Sequence, residues 1–118
     1  MTFRGGRNIA MKVPAHRWLH TVAFYEETLG LPVLQRQANS IAFEFGSQRL
    51  WIDRVDHLSR AEVWLEVVAS DLAAAGARLV AADVPRCDAV EPLPDGFHGY
   101  WIVNPADVVH LVAATDDA

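Results

Sequence analysis

Cysteine is almost absent: Cys87 is the only one among 118 residues. No disulfide can therefore close within the chain, and a sulfur-rich metal site is excluded. Cys87 stands in the irregular stretch Val84-Pro-Arg-Cys-Asp with no visible activating partner, and it is read as a bystander thiol rather than a nucleophile. Lysine is nearly missing too, with Lys12 alone and the other basic side chains arginine. The formal net charge is −5 and no basic stripe or block occurs, which argues against nucleic acid or an anionic membrane surface as partner. No apolar run approaches the ~18 residues of a membrane span. The start, Met-Thr-Phe-Arg-Gly-Gly-Arg, lacks the apolar core of a signal peptide, so the expected location is cytoplasmic. Gly-rich phosphate loops, nucleophile elbows and clustered cysteine motifs are also missing.

What is present describes an ordinary folded domain over 1–118, with 52% hydrophobic and 21% charged residues. Asn8 to Val13 alternates, with Ile9, Met11 and Val13 on one side, as in a strand with one apolar face. From about Ala15 to Leu29, Trp18, Val22, Tyr25 and Leu29 recur at helical spacing, and Gly30 and Pro32 then stop the helix. Three strand-like runs follow, at about Val33–Gln37, Ser40–Phe45 and Arg49–Asp53, the last two joined by a hairpin at Gly46-Ser47-Gln48. The order then repeats. Glu62 to Val68 alternates, and Ser70-Asp71 caps an Ala-rich helix to about Ala82. A short extended piece near Val84–Cys87 comes next, then strands at about Gly99–Val103 and Asp107–Val112. Two modules of one βαβββ design, about 8–54 and 62–113, are thus expected. The fold class is α+β: a curved, open eight-stranded mixed sheet with the helices on its convex face.

The faces of these strands differ in chemistry. One carries Ile9, Met11, Val13, Ile41, Phe43, Phe45, Leu50, Ile52, Val63, Leu65, Val67, Val109 and Leu111, apolar enough to lie under helices. The other carries Asn8, Lys12, Glu44, Arg49, Trp51, Asp53, Glu62, Trp64, Glu66 and His110. A face meant only for water would rarely be given indoles, so this set is read as the lining of a ligand cleft.

The strings Thr21-Val-Ala-Phe-Tyr-Glu-Glu-Thr-Leu-Gly-Leu-Pro-Val33 and Asn104-Pro-Ala-Asp-Val-Val-His-Leu-Val112, with the βαβββ repeat, resemble the vicinal oxygen chelate superfamily. That superfamily includes glyoxalase I, bleomycin-resistance proteins and extradiol dioxygenases. The second string is similar to the family ending Asp-Pro-x-Gly-Asn-x-x-Glu-Leu. The resemblance implies homodimers, and Phe97, Tyr100 and Trp101 beside a Pro-rich loop are candidates for that interface. It also implies a divalent-metal site on four module strands. The matching positions here are Asn8, a position near Trp51, Trp64 and His110. An indole nitrogen donates and has no lone pair to offer, so the usual metal is expected to be absent and no cofactor is expected. A displaced metal on His110, Asp53 and Glu66 is the less favoured alternative. His16, His20 and Glu27 share one helix face and are read as solvated.

The expected function is binding of a planar or aromatic small molecule in a cleft walled by Trp51 and Trp64, with Asn8, Lys12, Arg49, Asp53, Glu66 and His110 orienting its polar ends. Two alternatives stand beside it. One is an isomerase, lyase or dioxygenase acting on a small carbonyl or phenolic substrate, with His110 as general base and Glu66 or Asp53 assisting. The other is non-catalytic: the two tryptophans are buried in a dimer interface, or the chain is an interaction domain whose cleft is vestigial.

Overall fold

The computed structural model describes residues 1–115, so the last three of the expected 1–118 domain lie outside the described residues. Among the described residues, eight strands in mixed pairing and two α-helices give an α+β fold. The strands are β1 (Phe3–Gly5), β2 (Asn8–Pro14), β3 (Val33–Gln37), β4 (Ser40–Phe45), β5 (Gln48–Val55), β6 (Glu62–Ala69), β7 (Gly99–Val103) and β8 (Val109–Ala114). The helices are α1 (Ala15–Ala23) and α2 (Leu72–Ala81). The chain forms two compact units, Arg7–Trp64 and Met1–Gly6 with Leu65–Ala118.

In the Arg7–Trp64 unit the strands pair in the order β3-β4-β5-β2, and the start of β6 pairs with the other side of β2. The β2–β5 pair is parallel and its neighbours are antiparallel. The apolar face is the expected one except at Phe45, which at the end of β4 is 46% exposed. Val13, Ile41, Phe43, Leu50 and Ile52 are buried against Trp18 and Val22 of α1, with Ile9, Met11 and Tyr25 packed around them. Phe43 and Ile52 are fully excluded from water, worth about 1.5–3 kcal/mol each relative to exposure. The Trp18 indole donates to the Ile52 carbonyl at 3.0 Å, which pins the helix to β5.

Helix α1 departs from the expected stripe at its end. Phe24–Thr28 is a π-helical turn, closed by Leu29 N–H donating to the Phe24 carbonyl at 2.9 Å. The extra residue in that turn shifts the helical phase, so Leu29 is half exposed while Leu31 packs against the core in its place. Gly30 then takes φ 66 and ends the element, a conformation glycine adopts without a Cβ clash.

In the second unit β6 pairs in parallel with β8, β8 pairs antiparallel with β7, and β1 pairs antiparallel with β6. Strand β1 was not expected, and the extended piece near Val84–Cys87 is reduced to a bridge between Arg86 and Ile102. Asp71 caps α2, its carboxylate accepting from the Ala74 amide at 3.0 Å. The core under α2 is Ala69, Ala75, Tyr100, Ile102 and Val112, with Phe3, Val67, Leu72 and Leu79 against it. Val63 and Leu65, expected under a helix, are 45% and 40% exposed; on β6 the apolar side is covered only from Val67 onward.

Candidate functional site

The second face of the Arg7–Trp64 unit is laid out by strand register. Laterally paired residues share a face, and the pairings give three rows. One runs Glu44–Arg49–Asn8, the next Ala42–Trp51–Ala10–Trp64, and the third Ser40–Asp53–Lys12–Glu62. In the middle row the two indoles stand on either side of Ala10, their backbones two strand spacings or roughly 10 Å apart. The small side chains of Ala42 and Ala10 leave room for them. Six of the eight expected site residues, Asn8, Lys12, Arg49, Trp51, Asp53 and Trp64, are thereby brought onto one face.

Their polar atoms are largely engaged with one another. The Trp51 indole donates to Asn8 Oδ1 at 2.9 Å, and the Trp64 indole to Glu62 Oε1 at 3.0 Å. Lys12 Nζ donates to Asp53 Oδ2 at 2.7 Å and lies 4.5 Å from the centroid of the Trp64 ring, a cation–π contact. Ser40 Oγ donates to the other oxygen of Asp53. Lys12 is 3% exposed and Trp64 6%, so Trp64 is a supporting element of the face. Trp51 is only half buried and presents the accessible indole. Glu62 was read on this face, whereas Ser40 and the two alanines were not singled out in the sequence. The signal that could have found the alanines is a small residue on the wide-ring face of neighbouring strands.

Glu66 and His110 belong to the other unit, and there the expected geometry fails. Glu66 pairs with Leu111, whereas His110 pairs with Leu65 on one side and Ile102 on the other. Ile102 and Val112 are part of the core under α2, so His110 lies on that covered face and Glu66 on the opposite one. His110 Nδ1 is 3.0 Å from the Val108 carbonyl. A shared His110–Glu66 acid–base pair is corrected by this register. Glu66 itself is 7% exposed and fits only because position 6 is glycine: a Cβ there would fall 2.2 Å from Glu66 Oε1.

The aromatics considered for an interface are also placed differently. Tyr100 and Trp101 are buried. The Tyr100 hydroxyl donates to the Leu72 carbonyl at 3.1 Å and the Trp101 indole to the Glu91 carbonyl at 2.9 Å. The perturbed titrating groups gather beside them, in the same unit. Burial, then the charge of Asp88, pushes the Cys87 thiol up, against a lowering by Arg86. Burial raises Asp88, but the Trp101 amide and Arg86 together outweigh it and hold the carboxyl below its usual value. Cys87 is thus not activated as a nucleophile.

Among the described residues no group of three or more His, Cys, Asp or Glu side chains is arranged to hold a metal ion. On the opposite face of β2 from Ala10, a cavity of about 380 Å3 is lined by Met11, Val13, His16, Arg17 and Arg60, among others. His20 and Glu27 are exposed, as expected for a solvated helix face. No helix among the described residues is long and apolar enough to cross a membrane.

No family model matches the chain, and no curated protein does. Solved structures do. The Mn(II)-bound glyoxalase from Novosphingobium aromaticivorans is 21% identical, with TM-score 0.66 over 95% of this chain and 38% of its own; the present chain spans about two fifths of that protein. Methylmalonyl-CoA epimerase from Mycobacterium tuberculosis is 14% identical, with TM-score 0.63, 93% of this chain and 87% of its own covered. A glyoxalase/bleomycin resistance protein/dioxygenase superfamily member from Vibrio splendidus 12B01 is 9% identical, with TM-score 0.62, 96% of this chain and 99% of its own covered. At such identities the likeness speaks for architecture and not for activity. The chain has the vicinal oxygen chelate fold.

Proposed function

We propose that this chain is a small-molecule-binding protein of the glyoxalase/bleomycin-resistance type, with the usual chelate degenerate, and that it takes a planar or aromatic compound against Trp51. The observation that carries the reading is the row Ala42–Trp51–Ala10–Trp64. It sets a half-buried indole between small residues on a face whose polar groups hold one another in place. A flat apolar wall with a few fixed polar groups is the usual make-up of a small-molecule site.

The degenerate chelate is supported by the donor set. Trp51 and Trp64 have no lone pair for a metal, and Asn8 Oδ1 already accepts from the Trp51 indole. The fourth position, by strand register, is Leu111 rather than His110. These residues do not fit a divalent ion, and no chemistry is routed through one.

The test is a fluorescence and thermal-shift screen with planar aromatic compounds. A ligand should quench indole emission and raise the melting temperature, about 2.7 kcal/mol of stabilisation at a hundredfold excess over its Kd. W51A should abolish both effects and remain folded. If no planar compound perturbs the protein, or if W51A binds as well as the parent, the reading is wrong. Near-stoichiometric Zn, Mn, Ni or Fe surviving dialysis would overturn the degenerate chelate.

A further inference from the structure

The candidate face leaves one strong donor uncommitted. Lys12, Asp53, Ser40, Asn8, Trp51, Glu62 and Trp64 are engaged in the contacts described above. Arg49, two residues before Trp51 on β5, makes no side-chain hydrogen bond or ion pair among the described residues, and its Nε is buried without a partner. Glu44, its cross-strand neighbour in β4, is exposed and forms no ion pair with it. Arginine stays charged at any physiological pH, so burial does not relieve the group by neutralising it. A buried N–H left without an acceptor is costly and uncommon, and it calls for an explanation.

We infer that Arg49 is the anion anchor of the Trp51 site, and that the ligand class is a planar aromatic acid whose carboxylate meets the Arg49 guanidinium while its ring lies on Trp51. The inference rests on the planar-ligand reading and narrows it. Residues i and i+2 of a strand project from the same face roughly 6–7 Å apart, which matches the offset between a ring and a carboxylate attached to it. The guanidinium presents its donors as a planar fork that matches a carboxylate. Lys12, the other cation of the face, is 3% exposed and already bound to Asp53. A ligand carboxylate therefore finds its complement at Arg49.

The experiment is calorimetric titration with a matched pair, 2-naphthoate and 2-naphthamide, which share a ring and differ in charge. The parent protein should bind the acid at least about tenfold more tightly than the amide, as for a charge-assisted bidentate contact. R49Q should bring the acid down to the level of the amide and leave the amide unchanged. R49K keeps the charge and the aliphatic stem, guards against a folding failure of R49Q, and should fall between the two. Equal affinity for acid and amide in the parent protein would overturn the anchor while leaving the Trp51 wall standing. A preference for the acid that survives in folded R49Q, or one as large as the parent's in R49K should R49Q not fold, would overturn it as well. Binding of neither compound would remove the anchor and the planar-ligand reading together.

Discussion

Removing the carboxylate of Asp53 tests whether the candidate face is held by the ion pair at its edge. Lys12 is 3% exposed and Asp53 18%, with 2.7 Å between Nζ and Oδ2. Breaking a buried pair by deleting one partner costs about 3–5 kcal/mol, because a charge is left in a medium that solvates it poorly. Asp53 retains some contact with water and Lys12 keeps its cation–π contact with Trp64, so D53N is expected at the lower end, about 2–4 kcal/mol. K12M should cost less, since Asp53 keeps the Ser40 hydroxyl and partial solvation. The double variant K12M/D53N should recover part of the loss, because two neutral groups replace a buried charge that has lost its Asp53 carboxylate. Urea denaturation of the four proteins gives the coupling energy directly. A D53N loss below about 1 kcal/mol, or strict additivity in the double variant, would refute the claim that the Lys12 charge depends on Asp53.

Four further outcomes are expected. G6A should lower stability by about 1–3 kcal/mol, as overpacking does, because the new Cβ would displace the buried Glu66 side chain; an unchanged melting temperature would show that Glu66 moves freely. Asp88 titrates below its usual value in the folded chain, so its contribution is present above the unfolded carboxylate pKa and is lost as pH falls through the folded one; D88N should flatten the acid limb of stability against pH. Cys87, pushed up by burial, should react with iodoacetamide at pH 8 more slowly than a free cysteine; faster alkylation would reveal an activating environment. The homodimer implied by the family resemblance predicts twice the chain mass in light scattering at micromolar concentration, and a persistent monomer would reject it.

The elements easiest to read from the sequence were those with one polar face. Strands β2, β4 and β5 alternate cleanly because α1 covers one side only, and the expected residues Val13, Ile41, Phe43, Leu50 and Ile52 form that core. Strand β1 carried no such pattern. Phe3–Gly5 is short and Gly-bearing, and what makes it a strand is its antiparallel ladder with Val67–Ala69, a non-local cause that local periodicity does not record. The π-helical turn is a similar case: the run Phe24–Thr28 reads as ordinary helix, yet one inserted residue turned Leu29 outward. Trp51 and Trp64 were legible as a shared face because wide rings stood among polar residues. The alanines beside them, and the orphaned Nε of Arg49, became visible only through register and burial.

His110 shows why the rest was not legible. Val109 is 6% exposed and Val112 is fully buried, so both faces of β8 are shielded and Val108 to Ala113 reads as apolar on either parity. With no wet face to fix the phase, a single histidine set the reading, and it set it one residue out. The internal repeat supplies the missing phase. In the first module Ala10 pairs with Trp51, and in the second Glu66, at the position equivalent to Ala10, pairs with Leu111. The counterpart of Trp51 is therefore Leu111. The turn before β8 agrees: Asp107 has φ 62 and occupies the glycine position of the ending Asp-Pro-x-Gly-Asn-x-x-Glu-Leu, which places that ending's Glu on Leu111. A side chain with no polar atom therefore stands at the position that the resemblance aligns with that glutamate, and the histidine beside it belongs to the other face of β8.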